Sequence, residues 1–112
     1  MQLAKPHLDI GLFTEAVEAH HDFWTHTAGL TLDHELQLEP GWVDLVGPGF
    51  RYITVQVFDA DAEMAGIVER GGRIARDSVS FAGVARFGFV ADPDGNWIEV
   101  SARTSLTGIE VG

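Results

Sequence analysis

The order strand, helix cap, helix, glycine occurs twice in this chain, and the two copies superpose with an offset of 43 residues. Asp9 precedes Gly29 by twenty residues, and Tyr52 precedes Gly72 by twenty. A repeat of this kind limits the fold to two copies of one supersecondary unit, each too small to bury its own apolar face. Strand–helix–three-strand units meet that demand by laying each helix across a small sheet, and two of them curl their sheets around a cavity.

The first copy opens at Leu8–Phe13, where Leu8, Ile10 and Leu12 share one face and Asp9, Gly11 and Phe13 the other. Thr14 is placed to cap the following helix, with Glu15 and Glu18 in its first turn. Val17, His20, Trp24 and Thr27 fall at helical spacing, and Gly29 suits the stop. Leu30 to Glu39 alternates as a strand, Pro40-Gly41 is a turn, and Trp42–Val46 is a short strand before Gly47-Pro48-Gly49. The second copy starts at Tyr52–Phe58, with Ile53, Val55 and Val57 on one face. Asp59 or Asp61 caps a helix carrying Met64, Ile67 and Val68, which Gly71-Gly72 ends. Arg73–Ser78 reads as a weak strand, and Ala85–Ala91 with Asn96–Arg103 as a strong hairpin. In its turn, Pro93 presets φ and Gly95 supplies positive φ.

The copies are unequal. Tyr52 to Arg103 spans 52 residues, and only 43 separate the two starts, so the first copy is nine residues short, about one strand and a turn. Either Leu30–Val46 divides differently, or an open sheet edge is left for a partner chain to cover. A homodimer is the expectation drawn from the second reading.

Composition narrows the function classes. The 112 residues suit one domain. The absence of cysteine removes disulfide and thiolate chemistry. Neither a signal peptide nor a membrane-spanning run is legible, so the expected setting is cytoplasmic. The net charge of −10 speaks against nucleic acid. It is concentrated in residues 1–49, where eight acids face Lys5 alone, and it suits either solubility or a cationic ligand.

The hairpin carries a resemblance. Phe89-Val90-Ala91-Asp92-Pro93-Asp94-Gly95-Asn96-Trp97-Ile98-Glu99-Val100 resembles the signature that ends modules of the vicinal oxygen chelate superfamily, which gathers glyoxalases, bleomycin-resistance proteins and dioxygenases. Asp9-Ile10-Gly11-Leu12, Phe23-Trp24 and Gly29-Leu30 look like that family's first strand and helix, and Tyr52–Asp61 like the start of its second module. The resemblance implies an α+β fold, with two βαβββ-type modules forming a curved mixed sheet around a cavity and the first module one strand short. It implies a single domain over 1–112, with module one at about 7–49 and module two at about 50–104.

It also implies a site. Glu99 holds the position at which the family keeps a cavity carboxylate, often a metal ligand. The usual histidines of the two first strands are replaced by Asp9 and Tyr52. Glu99, Asp9 and Tyr52 are therefore the candidate catalytic residues, and Trp97, Phe87, Phe89 and His34 the candidate ligand-binding residues. His34, on a leucine face, reads equally as a core or rim residue. Glu99, Asp9 and, two residues back on the same strand face, His7 are the candidate metal ligands for Mg, Mn, Ni or Zn. A metal-free site is an equal expectation. Two function classes follow. One is a lyase, isomerase or dioxygenase acting on a small oxygenated substrate through the cavity carboxylate. The other is a non-enzymatic dimer that sequesters a cationic small molecule.

Overall fold

A computed structural model of the protein describes residues 1–12, 14–31 and 51–112. The chain divides into two compact units, residues 12–51 and residues 1–11 with 52–112.

The larger unit is built on a sheet of five strands among the described residues: β1 (Leu3–Leu12), β2 (Arg51–Val57), β3 (Arg73–Phe81), β4 (Ala85–Ala91) and β5 (Trp97–Arg103). Their spatial order is β1-β2-β5-β4-β3. β2 and β5 are parallel, pairing Thr54 with Glu99 and Gln56 with Ser101. β5–β4 and β4–β3 are antiparallel, pairing Glu99 with Phe89, Ser101 with Phe87, and Phe89 with Arg76. The sheet is mixed, curved and unclosed, in an α+β chain, as expected. β3 runs three residues beyond the expected Ser78, because Val79, Ser80 and Phe81 continue the ladder opposite Phe87, Arg86 and Ala85.

Helix α2 (Ala60–Glu69) lies on one face of this sheet. Asp59 settles the choice of cap, its carboxylate accepting from the Ala62 amide at 3.0 Å. Gly71 and Gly72 donate back to the Val68 and Ile67 carbonyls and end the helix. Ala60 and Met64 pack with Val57, Val90, Val100 and Ala102, and Val55, Ile67 and Ile98 border this core. Each large side chain buried there contributes about 1.5–3 kcal/mol. Outside it, Asp61 on α2 takes Arg86 of β4 at 2.8 Å and the Ser78 hydroxyl of β3, fastening the helix to the strands. Leu8 and Ile10 of β1, which the alternation puts on one face with Leu12, and Ile53 of β2, which it puts on one face with Val55 and Val57, are exposed.

The β4–β5 turn follows its sequence closely. The Gly95 amide donates to the Asp92 carbonyl, and the Asp92 carboxylate accepts from the Asp94 and Asn96 amides and the Asn96 side chain at 2.8–2.9 Å. These donors hold the Asp92 carboxyl below its ordinary value. Gly95 sits at φ +85°, where a side chain would be strained. A short helix α3 (Thr104–Thr107) closes the strand order.

The smaller unit contains α1 (Val17–Asp22), which passes into a π-helical turn over Phe23–Thr27. Thr14 does not cap this helix. Its hydroxyl accepts from the Ala16 amide at 2.9 Å in the bend before the helix, and Ala16 occupies the cap position. The widening at Phe23 has a local cause. Thr25 turns its hydroxyl back onto the His21 carbonyl at 2.7 Å, a bond that competes with the helical ladder, and the Ala28 amide reaches five residues back to Phe23. His26 pairs with Asp22 at 2.8 Å, and the Trp24 indole donates to His20 at 3.3 Å. The strands expected over 30–39 and 42–46, and the shortfall of the first copy with them, lie outside the described residues except at Leu30 and Thr31.

Candidate functional site

Strand alternation gives the sheet two chemically different faces. Val55, Val57, Ile98 and Val100 face α2. The residues between them, Tyr52, Thr54 and Gln56 on β2 and Trp97, Glu99 and Ser101 on β5, lie on the opposite face, joined from β4 by Phe87 and Phe89 through the pairing register. Two adjoining rows result. One carries Thr54, Glu99 and Phe89, and the other Gln56, Ser101 and Phe87.

Glu99 is the charged member of these rows. Thr54 donates its hydroxyl to Glu99 Oε1 at 3.2 Å. Burial raises the Glu99 carboxyl from 4.5 to about 7, with Asp9 adding to the rise and the Thr54 hydrogen bond and the Arg103 charge opposing it. The group is therefore divided between acid and carboxylate near neutral pH. Tyr52 is pushed the other way from use as a base. Burial, and then the Glu99 charge, lift its phenol to about 12, so it keeps its proton and is available as a hydrogen-bond donor.

The aromatic side chains form one cluster around Phe89, which is 1% exposed. Its ring meets Tyr52 at 5.3 Å, Trp97 at 5.1 Å and Phe87 at 6.5 Å between centroids. Tyr52 also lies across Gly11 of β1. A Cβ at Gly11 would stand 1.9 Å from Tyr52 Cζ, so only glycine leaves room for the ring.

The residues singled out from sequence are thus partly gathered. Glu99, Phe87, Phe89, Trp97 and Tyr52 share the polar face. Asp9 lies near enough to act on Glu99 electrostatically, and it is bonded at 2.8 Å to Lys5. His7 is exposed, and His34 lies outside the described residues. Thr54 and Gln56 were not anticipated. The signal for them was the alternation itself: the face of Tyr52–Phe58 opposite Ile53, Val55 and Val57 reads Tyr, Thr, Gln.

Among the described residues no three His, Cys, Asp or Glu side chains come together in a way that could hold a divalent metal. Tyr52 is a protonated phenol and Asp9 is engaged by Lys5, which leaves one carboxyl. The described donors do not fit a metal.

The model of the glyoxalase/bleomycin resistance protein/dioxygenase superfamily matches residues 33–100, more than half of the chain. The chain belongs to that superfamily. A solved structure of a glyoxalase/bleomycin resistance protein/dioxygenase superfamily member from Vibrio splendidus 12B01 is similar in fold, with a TM-score of 0.58 at 15% identity over 86% of this chain and 97% of that one. No curated protein in the comparison matches the chain. In this vicinal oxygen chelate protein the matched stretch includes β2, β4, Glu99 and the turn before β5. Among the described residues no helix is long and apolar enough to cross a membrane.

Proposed function

We propose that this vicinal oxygen chelate protein catalyses proton transfer on a small oxygenated molecule bearing an acidic C–H next to a carbonyl, as a lyase or isomerase. The observation that carries the reading is Glu99: a desolvated carboxyl with a pKa of about 7, bonded to Thr54 and set among aromatic rings. A base poised near the working pH offers both the needed protonation state and enough driving force. The Glu99 carboxylate takes the α-proton, the C–H pair moves into the carbon skeleton, and negative charge develops on the carbonyl oxygen. Tyr52, which holds its proton up to about pH 12, supplies a hydrogen bond to that oxygen. Where the α-carbon bears a hydroxyl, the proton of that hydroxyl passes to the former carbonyl oxygen as Glu99 returns its own proton to the former carbonyl carbon, completing an isomerisation; where the β-carbon bears a leaving group, that group departs with the electron pair, completing an elimination. The aromatic cluster gives a flat substrate an apolar wall.

The test is exchange of α-protons for deuterium in D2O, followed by proton NMR with simple enolisable ketones. Exchange should accelerate as pH rises through about 7, because the base is the ionised form. Glu99→Gln should lower it by roughly 100-fold or more. Equal exchange in the two proteins ends the reading.

A second reading is favoured by the charge of −10, seven of it within residues 1–49. In that reading the protein is a dimer that sequesters a cationic small molecule without turnover. Salt-sensitive stabilisation by a cationic glycopeptide, with no exchange activity at any pH, would select it. Light scattering tests the dimer, and a monomer would remove that part.

A further inference from the structure

Beside Thr54, Glu99 and Ser101, the same face holds the Gln56 amide, whose oxygen no group among the described residues satisfies. Gln56 is 3% exposed, and its side-chain oxygen has no hydrogen-bond partner among the described residues. Buried amide groups are nearly always paired, because leaving one unmet forfeits the hydrogen bond it had in water. Its position is fixed by register. It stands two residues along β2 from Thr54, and beside Ser101, as Thr54 stands beside Glu99. Residues two apart on a strand are separated by about 6.6 Å on the same face. Gln56 is thus the diagonal neighbour of Glu99 across the β2–β5 pair, about 7 Å away, so an unmet acceptor lies about one substituted aromatic ring's length from the carboxyl.

We infer that Gln56 is a specificity residue, whose amide oxygen accepts a hydrogen bond from a hydroxyl or N–H at the far end of a flat ligand whose carbonyl end lies at Glu99. The inference rests on the proposed function for the placing of the carbonyl end, and it deepens that reading by naming the ligand class: a compact aryl or similarly planar carbonyl compound with a donor about 6–7 Å from the reacting carbon. Ser101 flanks the same spot with a hydroxyl, and Phe87 continues the row with an apolar ring. A ligand lacking the far donor would leave the Gln56 oxygen as unmet as it is in the free protein, so discrimination falls on that one group.

The probes are 4-hydroxyacetophenone and acetophenone, an enolisable pair differing only in the far hydroxyl. Affinities are measured by ligand-observed NMR for the wild type, Gln56→Leu and Glu99→Gln. The wild type should bind the hydroxylated ketone about tenfold more tightly. Gln56→Leu, close in volume, should bring the ratio near one. Equal affinity in the wild type, no measurable binding of either ketone, or an undiminished ratio in Gln56→Leu overturns the inference. Melting without ligand gives an independent readout. Gln56→Leu should raise the Tm by a few degrees, because it removes an unmet acceptor. A fall of several degrees means that the amide is held within the fold, and the inference fails. Glu99→Gln separates this inference from the reading beneath it: it should stop exchange on both ketones and keep the binding preference. Exchange persisting in that variant refutes proton transfer by Glu99, while a preference lost only in Gln56→Leu still stands on affinity alone.

Discussion

Glu99 makes a prediction that needs no substrate. A carboxyl raised by burial from 4.5 to about 7 resists ionisation in the fold and ionises freely in the unfolded chain. Below about pH 4.5 both states hold the proton, and Glu99 costs nothing. Between 4.5 and about 7 the unfolded chain releases it first, the native state binds more protons, and stability falls as pH rises. Above about 7 the full penalty is present and constant. Each pH unit between the two values corresponds to about 1.4 kcal/mol. Discounted for the partial exposure of Glu99, the penalty comes to about 2–3 kcal/mol. Glu99→Gln keeps an acceptor for the Thr54 hydroxyl and carries no charge. At pH 4 its stability should match the wild type closely. The difference, variant minus wild type, should climb through the window from 4.5 to 7 and level off at a gain of roughly 10 °C in Tm for a chain of this size. Differential scanning fluorimetry across pH 4–9 measures it, and subtraction removes the other carboxyls, including Asp61 and Asp92, whose depressed values act in the opposite direction. A flat difference curve would refute the burial argument. A negative one above pH 7 would mean that the ionised form is the stabilised form, with the Arg103 charge outweighing desolvation.

Other outcomes follow from single contacts. Gly11→Ala drives a methyl into the Tyr52 ring and should cost about 1–3 kcal/mol, with a larger proportional loss of exchange activity than of stability; an unchanged melting curve would contradict the packing. Tyr52→Phe removes the donor and keeps the ring against Phe89, so exchange should fall by roughly 100-fold while Tm moves little. Asp59→Ala orphans the Ala62 amide at the start of α2 and should cost about 1 kcal/mol in urea unfolding, with no change in the slope of the transition.

The parts of this fold that were legible are those in which local chemistry and tertiary demand agree. The β4–β5 turn is one: Asp92, Gly95 and Asn96 each have a backbone reason to be there, and each does what that reason requires. Asp59 is another, since a cap is satisfied within four residues of its own position. Thr14 and Thr25 show where this stops. Both are helix-neutral residues whose hydroxyls can bond in more than one way, and the bonds they make delay the helix at one end and widen it at the other. Arg73–Ser78 looked weak because it carries two arginines and an aspartate. Its ladder with β4 extends it to Phe81, and nothing local announces that.

The candidate site divides along the same line. Glu99 was legible because it is tied by two residues to a recognisable turn. Thr54 and Gln56 depend instead on which strand lies beside β2, and that neighbour is β5, more than forty residues away in sequence and parallel. Had β2 paired elsewhere, Thr54 and Gln56 would be ordinary polar residues on the outer side of a strand, and Glu99 would lack its hydroxyl donor. The parallel register makes them a site. It sets Thr54 against Glu99 and, one step along, Gln56 against Ser101, so the reacting carboxyl and the unmet amide share one strand pair and one face. A slip of one residue would turn Thr54 and Gln56 towards α2 and put Val55 beside Glu99. The apolar packing of Val55, Val57, Ile98 and Val100 against α2 prevents that slip. The core that stabilises the sheet is therefore also what holds the chemistry of its other face in register.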